Sequence, residues 1–400
     1  MKVYLESYGC TLNKGEAGLI EDSLINRGFE VVNEPQDADR IIIATCAVIQ
    51  ATENHMMKRI SELLVFGKET YVTGCLASYK DREILALGAI PVKKLDFEDV
   101  INDSLGCRKR QVVASVPIST GCVGRCSYCV TRSIRGGLRS YEPDLIVRKV
   151  KELVASGVKE IRITAQDAAC YGFERKDALL PDLIDDLVAI EGDFMVRIGM
   201  MAPGSFLRIE EDMLRSFSKE KVYKFLHLPV QSADDGILLS MHRGYTYDDY
   251  SSAVRRARER LGRCTLSTDV IIGYPGEDWG SFMKTYRAIQ SIKPDIVNVT
   301  RFSARADTEA FLMKGVPIGR SVKARSRMMT KLARDVALEN NRALVGEVFR
   351  SLVCEQVKDG TVMARSEAYK PLVVPVTELG KFISIRAVKA KSAYLMGEAA

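Results

Sequence analysis

The stretch Cys122-Val123-Gly124-Arg125-Cys126-Ser127-Tyr128-Cys129 places three cysteines as C-x3-C-x2-C within one short segment. Thiolates this close in sequence can each bind a different iron of one compact cluster, and the short spacing keeps the entropy cost of closing the loop small. A fourth ligand is missing nearby. A [4Fe–4S] cluster held by three cysteines leaves one iron open to a small molecule, whereas a structural zinc site wants four protein ligands, commonly from paired C-x2-C units. The chain has only three histidines, His55, His227 and His242, and none is close to this loop in sequence. The spacing therefore favours an iron–sulfur cluster over zinc.

Working outward, residues 112–302 alternate strand-like and helix-like segments. Six candidate strands fall at 113–118, 160–164, 194–199, 224–228, 268–272 and 296–300. Six βα units predict a partial barrel, in which chemistry sits on the loops that follow the strands. Gln166 and Asp167, Gln231 and Ser232, and Asp269 reach that face, with Arg197 in the third strand as a further candidate. Each of these has an ordinary alternative as a buried, hydrogen-bonded residue that ends a strand.

Residues 1–105 read as βαβαβ, a small open parallel sheet. Cys10, Cys46 and Cys75 each follow one of its strands, in Tyr8-Gly9-Cys10, Ala44-Thr45-Cys46 and Thr73-Gly74-Cys75. The carboxyl ends of parallel strands form the ligand crevice of such sheets, so three thiols 36 and 29 residues apart can converge in space. Cys107, Cys170, Cys264 and Cys354 share no spacing and read as structural. Cys170 is the exception to watch, because it lies in the loop after the second barrel strand. Beyond a basic helix starting near Lys323, the runs 347–355, 361–364, 372–376 and 382–389 predict a small all-β module.

Composition bounds the rest. At 400 residues, 46% apolar and 28% charged, the chain has room for two or three globular domains. Its longest apolar stretch, 41–49, is far short of the roughly 20 residues a membrane helix needs. The N-terminus lacks a secretory h-region, so a cytoplasmic location without a membrane partner is expected. Thiols stay reduced there, which argues against a disulfide framework for ten cysteines. Residues 1–112 carry 14 basic and 17 acidic side chains while 340–400 carry 9 and 6, and the middle segment holds the whole net charge of +6. A basic middle and tail suit an anionic partner such as nucleic acid.

At these residues the sequence resembles the radical S-adenosylmethionine superfamily, whose signature is the C-x3-C-x2-C spacing with an aromatic residue, here Tyr128, before the last cysteine. With its three N-terminal cysteines and β-rich tail ending in Tyr394-Leu395-Met396-Gly397, the whole chain is similar to the methylthiotransferase family. Stretches such as Glu6-Ser7-Tyr8-Gly9-Cys10 and Arg135-Gly136-Gly137-Leu138-Arg139 resemble the archaeal and eukaryotic branch that acts on N6-threonylcarbamoyladenosine of transfer RNA. Eukaryotic members usually carry a C-terminal membrane anchor, so a chain stopping at Ala400 is expected to be of the archaeal type.

The resemblance implies an α/β protein of three domains: an N-terminal open parallel sheet (1–110), a (βα)6 partial barrel of the radical SAM type (111–335) and a TRAM-like β-barrel (340–400). It implies two [4Fe–4S] clusters, on Cys122, Cys126 and Cys129 and on Cys10, Cys46 and Cys75. S-adenosylmethionine would be held by Tyr128, Gly136, Gly137, Gln166, Asp167, Arg197, Gln231, Ser232 and Asp269. The superfamily's usual glutamate after paired glycines is replaced by Leu138. Arg365, Lys370, Lys381, Arg386, Lys389 and Lys391 would contact the transfer RNA, whose anticodon stem-loop carries the target base. An electron donor and a sulfur source of unknown identity complete the expected partners. The same family includes enzymes that methylthiolate isopentenyladenosine or a ribosomal aspartate, and these remain the nearest alternatives.

Overall fold

Alternating apolar residues at Ile41, Ile43 and Val72 build the centre of the N-terminal sheet, and all three are buried in the computed structural model. The structure describes residues 1–47, 50–93, 95–106, 111–175, 178–358 and 360–400. The expected boundary at 110 and Cys107 lie outside the described residues. The sheet has five parallel strands, β1 (Lys2–Ser7), β2 (Glu30–Val32), β3 (Arg40–Thr45), β4 (Glu69–Gly74) and β5 (Ile90–Pro91), in the order β2-β1-β3-β4-β5. The edge strands β2 and β5 add to the three read from sequence, because two or three residues are too few to show a period of two.

The helix Thr11–Asn26 buries polar residues as well as Leu12, Ala17 and Leu19. It lies between the N-terminal sheet and the central barrel, so its polar residues have partners across the gap. Lys149 reaches Asp22 at 3.1 Å and donates to Ser104 O at 2.8 Å, while Arg135 grips Glu16. Gly15 permits the close approach, since a Cβ there would stand 3.1 Å from Pro117 Cδ.

The centre comprises β6 (Val113–Pro117), a short antiparallel pair β7 (Ser119–Thr120) and β8 (Arg139–Ser140), then β9 (Glu160–Thr164), β10 (Met195–Ile198), β11 (Phe225–His227), β12 (Thr265–Ile272) and β13 (Ile296–Arg301). Parallel pairing runs β6-β9-β10 and β11-β12-β13. A Val196–Val222 bridge and Met201 N donating to His227 O at 2.9 Å join the halves. The result is the six-stranded parallel partial barrel that the periodicity predicts. None of the described helices is long and apolar enough to cross a membrane.

After the long helix Gly319–Arg342, strands β14 (Val348–Lys358), β15 (Thr361–Ser366), β16 (Pro371–Pro375), β17 (Phe382–Ala390) and β18 (Leu395–Ala399) close into a barrel. Strand β18 was not apparent from composition. Gly397 sits in the middle of that strand, where a side chain would overlap Ile385.

This β-barrel covers the end of the central barrel where its strands begin. Tyr369 Oη donates to Glu160 Oε1 at 2.8 Å, Lys224 N donates to Glu367 O at 2.8 Å, and Lys370 Nζ meets Asp295 Oδ1 at 2.6 Å. Tyr369 also packs on Tyr223 and Phe225, with ring centroids 4.8 and 4.9 Å away. Replacing Lys370 with Met leaves the Asp295 carboxylate, whose side chain is only 10% exposed, without its cation. The expected cost is about 3 kcal/mol, read as a lower unfolding midpoint in urea; an unchanged midpoint would show that the pair contributes nothing net.

Candidate active site

Three loops at the carboxyl ends of β1, β3 and β4 carry Cys10, Cys46 and Cys75. Gly9 (φ +101°) and Gly74 (φ +85°) precede two of these cysteines with backbone that L side chains rarely adopt. A Cβ on Gly9 would stand 2.7 Å from Cys46 Cβ, and one on Gly74 would overlap Thr45 O. Asn13 is buried between the loops and donates to Tyr8 O, and Thr45 Oγ1 donates to Thr73 O at 2.6 Å. Cys10 stands at the N-cap position of the helix Thr11–Asn26, and Cys75 opens the short helix Cys75–Tyr79. Burial pushes the Cys75 thiol up, Cys10 and Glu16 add to that, and the Arg135 guanidinium opposes it.

The second thiol set sits on the loop after β7. Gly121 (φ +74°) lies against Gly137 O so closely that a side chain would overlap it, which ties the Cys122 loop to the paired glycines Gly136-Gly137. Gly124 N donates to Cys122 Sγ at 3.2 Å, and Cys129 N to Cys126 O at 3.1 Å. Ser127 anchors the loop through Ser240 O at 2.9 Å and Tyr274 Oη at 2.7 Å. Burial raises Cys129, and the neighbouring Cys126 and Cys122 thiols raise it further. Cys170 Sγ donates to Asp167 O at 3.0 Å, and the Cys170 thiol beside Cys122 holds the Cys122 thiol below its usual range. Cys170 is thus brought against the cluster loop, while Cys354 lies in the C-terminal barrel and Cys264 at the start of β12.

Among the described residues, no three His, Cys, Asp or Glu side chains already stand at metal-ligand spacing. Both sets nevertheless fit a three-thiolate cluster. In each, a glycine leaves room beside the sulfur donors: a Cβ on Gly9 would stand 3.1 Å from Cys46 Sγ, and one on Gly124 3.3 Å from Cys122 Sγ.

No local sequence pattern singles out Arg243. It is half-buried, donates to Cys126 Sγ at 3.2 Å, Tyr128 Oη at 3.4 Å and Pro229 O at 3.0 Å, and lies over the Tyr245 ring. Its only sequence signal is a basic residue in Met241-His242-Arg243-Gly244-Tyr245 just after a short helix.

The remaining candidates divide between the two ends of the barrel. Asp167 accepts from Ala202 N at 2.8 Å and Ser205 Oγ at 2.6 Å, and burial raises its carboxyl. Gln166 Oε1 is buried without a partner among the described residues. Gln231 (φ +66°) bonds through its backbone to Asp269 O at 2.8 Å, and Asp269 holds His227 Nε2 at 3.0 Å and Asn298 Nδ2 at 2.6 Å. Ser232 lies 3.3 Å from Thr285 Oγ1, and Tyr128 meets Tyr274 edge-on at 6.4 Å with burial raising its hydroxyl.

Arg197 is elsewhere. Its guanidinium lies 4.7 Å over Phe225 and 5.5 Å over Tyr369, at the end covered by the C-terminal barrel. Lys370 is buried in that contact and Arg365 stacks 4.9 Å over Tyr369. Lys381 pairs with Glu378, Arg386 donates to Gly346 O, and Lys389 and Lys391 are exposed. The six proposed RNA contacts therefore do not form one surface.

A cavity of about 630 Å³ lies where the N-terminal domain meets the central barrel, lined by Thr73, Gly74, Lys93, Arg135, Gly136 and Arg139 among others, with none of the six cysteines in its lining. The profile of the Radical SAM superfamily matches residues 116–289, an uncharacterised family designated UPF0004 matches 2–92, and the TRAM domain matches 342–400. A probable threonylcarbamoyladenosine tRNA methylthiotransferase of Archaeoglobus fulgidus is 37% identical, covering 100% of this chain and 99% of that protein. The chain belongs to the threonylcarbamoyladenosine tRNA methylthiotransferase family. Another relative of that name, from Methanocaldococcus jannaschii, is 37% identical over 100% of this chain and 97% of its own length, and the human threonylcarbamoyladenosine tRNA methylthiotransferase is 27% identical over 99% of this chain and 74% of its own. The fold of this methylthiotransferase is shared with the radical S-adenosylmethionine methyltransferase TsrM of Kitasatospora setae, at TM-score 0.57 and 14% identity, covering 78% of this chain and 77% of that one.

Proposed function

We propose that the chain installs a methylthio group at C2 of N6-threonylcarbamoyladenosine 37 in transfer RNA, using S-adenosylmethionine and two [4Fe–4S] clusters. The observation that carries this reading is the pair of three-cysteine sets, one on the loops after β1, β3 and β4 and one on the loop after β7, in a chain alike over its whole length to relatives of that name. Cys122, Cys126 and Cys129 hold one cluster within residues 111–335, and Cys10, Cys46 and Cys75 hold the other within 1–110. When bound, the clusters supply reductive cleavage of the sulfonium at one site and an open iron for sulfur at the other.

The protein's own contribution is positioning. Gly136 and Gly137 present bare backbone to the methionyl amino group, and Arg243 holds Cys126 and Tyr128 together. Gln166, Asp167, Gln231, Ser232 and Asp269 form the polar floor at the strand ends, whereas Arg197 is left out of the site and stabilises the C-terminal barrel. Within residues 340–400, exposed Lys389 and Lys391, with Lys381 and Arg386, supply phosphate contacts to the RNA, while Arg365 and Lys370 serve the interface. The target base must leave its stack to reach the cavity. A one-electron donor and a sulfur source act from outside. A thiol-rich chain acting on transfer RNA belongs in the reducing cytoplasm.

The test is nucleoside mass spectrometry after anaerobic incubation of the reconstituted protein with reductant, sulfide and S-adenosylmethionine. Transfer RNA carrying threonylcarbamoyladenosine is expected to yield a new 2-methylthio nucleoside, and transfer RNA carrying isopentenyladenosine none. The reverse pattern, or no product from protein holding both clusters, would overturn the reading.

A further inference from the structure

We infer that Arg135 donates its buried Nε–H to the auxiliary cluster at Cys75 and raises that cluster's reduction potential. The inference rests on the reading of Cys10, Cys46 and Cys75 as cluster ligands. Arg135 ends the helix Thr131–Arg135, which begins just after Cys129, so it belongs to the other cluster's loop. That helix packs on the helix Cys75–Tyr79, and Ile134 is set into the N-terminal core. The Arg135 side chain is 10% exposed and its partner Glu16 only 4%. Both terminal nitrogens grip the Glu16 carboxylate, one at 2.8 Å, which fixes the plane of the guanidinium.

One edge of that plane is left over. Nε is buried and has no hydrogen-bond partner among the described residues, a costly state for a charged donor. Cys75 is the nearest sulfur by geometry: it opens the helix on which Arg135's own helix packs, and the preceding Gly74 lines one cavity together with Arg135. A donor aimed at a cluster sulfur and a cation beside it both favour the more negative, reduced form. Removing them moves the potential down. Glu16 acts as the positioning residue, and the chain thereby links the two cluster loops through a single side chain.

The experiment is an EPR-monitored redox titration of the full-length reconstituted protein with R135Q, R135K and the E16Q/R135Q double variant, the cluster at Cys122 serving as internal reference. The auxiliary midpoint is expected to shift to more negative potential in R135Q and equally in E16Q/R135Q, where no carboxylate is orphaned. R135K is expected to lie between these and the unaltered protein, and the reference midpoint to stay put in all. Equal midpoints in all proteins, a common shift of both clusters, or a shift in R135Q that E16Q/R135Q cancels would overturn the inference. If the unaltered protein shows only one cluster, and C10A leaves its iron content unchanged, the auxiliary-site reading fails and this inference with it.

Discussion

Gly74→Ala is expected to empty the auxiliary site while sparing cleavage of S-adenosylmethionine. Gly74 has φ +85° and ψ −162°, a region open in practice to glycine alone, and its missing Cβ faces Thr45 O and Asn13 Oδ1. An added methyl must push the end of β4 off the end of β3, carrying Cys75 away from Cys46. Strain of this kind costs about 1–3 kcal/mol before the overlap is counted. Iron content should fall from about eight to about four per chain, with formation of the methylthio nucleoside down about 100-fold and 5′-deoxyadenosine release retained. Gly28→Ala is the control, since Gly28 also has positive φ but nothing within 4 Å of a Cβ. Loss of iron in both variants would mean that general instability, not the Cys75 loop, is responsible.

Arg243→Met is expected to do the converse. The guanidinium bridges Cys126, Tyr128 and Pro229, and with it gone Pro229 O loses its Arg243 donor and the Cys126 sulfur loses its hydrogen bond. Removing a group that supports a metal ligand typically costs 10–100-fold in affinity or activity. Release of 5′-deoxyadenosine should therefore fall by about 100-fold while the auxiliary cluster remains. Arg243→Lys keeps the charge but not the fork that reaches sulfur and carbonyl together, so only partial recovery is expected. An unaltered rate in R243M would remove Arg243 from the site.

What the sequence disclosed and what it hid follow from distance along the chain. The C-x3-C-x2-C loop and the six barrel strands are local patterns, and the strand-end placement of Cys10, Cys46 and Cys75 follows once β1, β3 and β4 are recognised. Arg243 stands 117 residues from Cys126, and Arg135 119 from Glu16, so no local pattern joins them. Lys370 reads as an RNA-facing lysine because its module resembles TRAM, yet its ammonium is bound by Asp295, 75 residues away. Arg197 looks like a ligand for a carboxylate, but two aromatic rings from opposite ends of the chain's second half cover it. Burial of a charge depends on what folds over it, and periodicity says nothing of that.

The central claim is that two separate three-thiol sets each hold a four-iron cluster. Iron and sulfide analysis with Mössbauer spectroscopy on the anaerobically reconstituted chain tests it most directly, beside the C10A/C46A/C75A and C122A/C126A/C129A variants. The unaltered chain is expected to hold about eight irons, all in [4Fe–4S] form, and either variant about four. Four irons in the unaltered chain that persist in C10A/C46A/C75A, or bound zinc without sulfide, would contradict it.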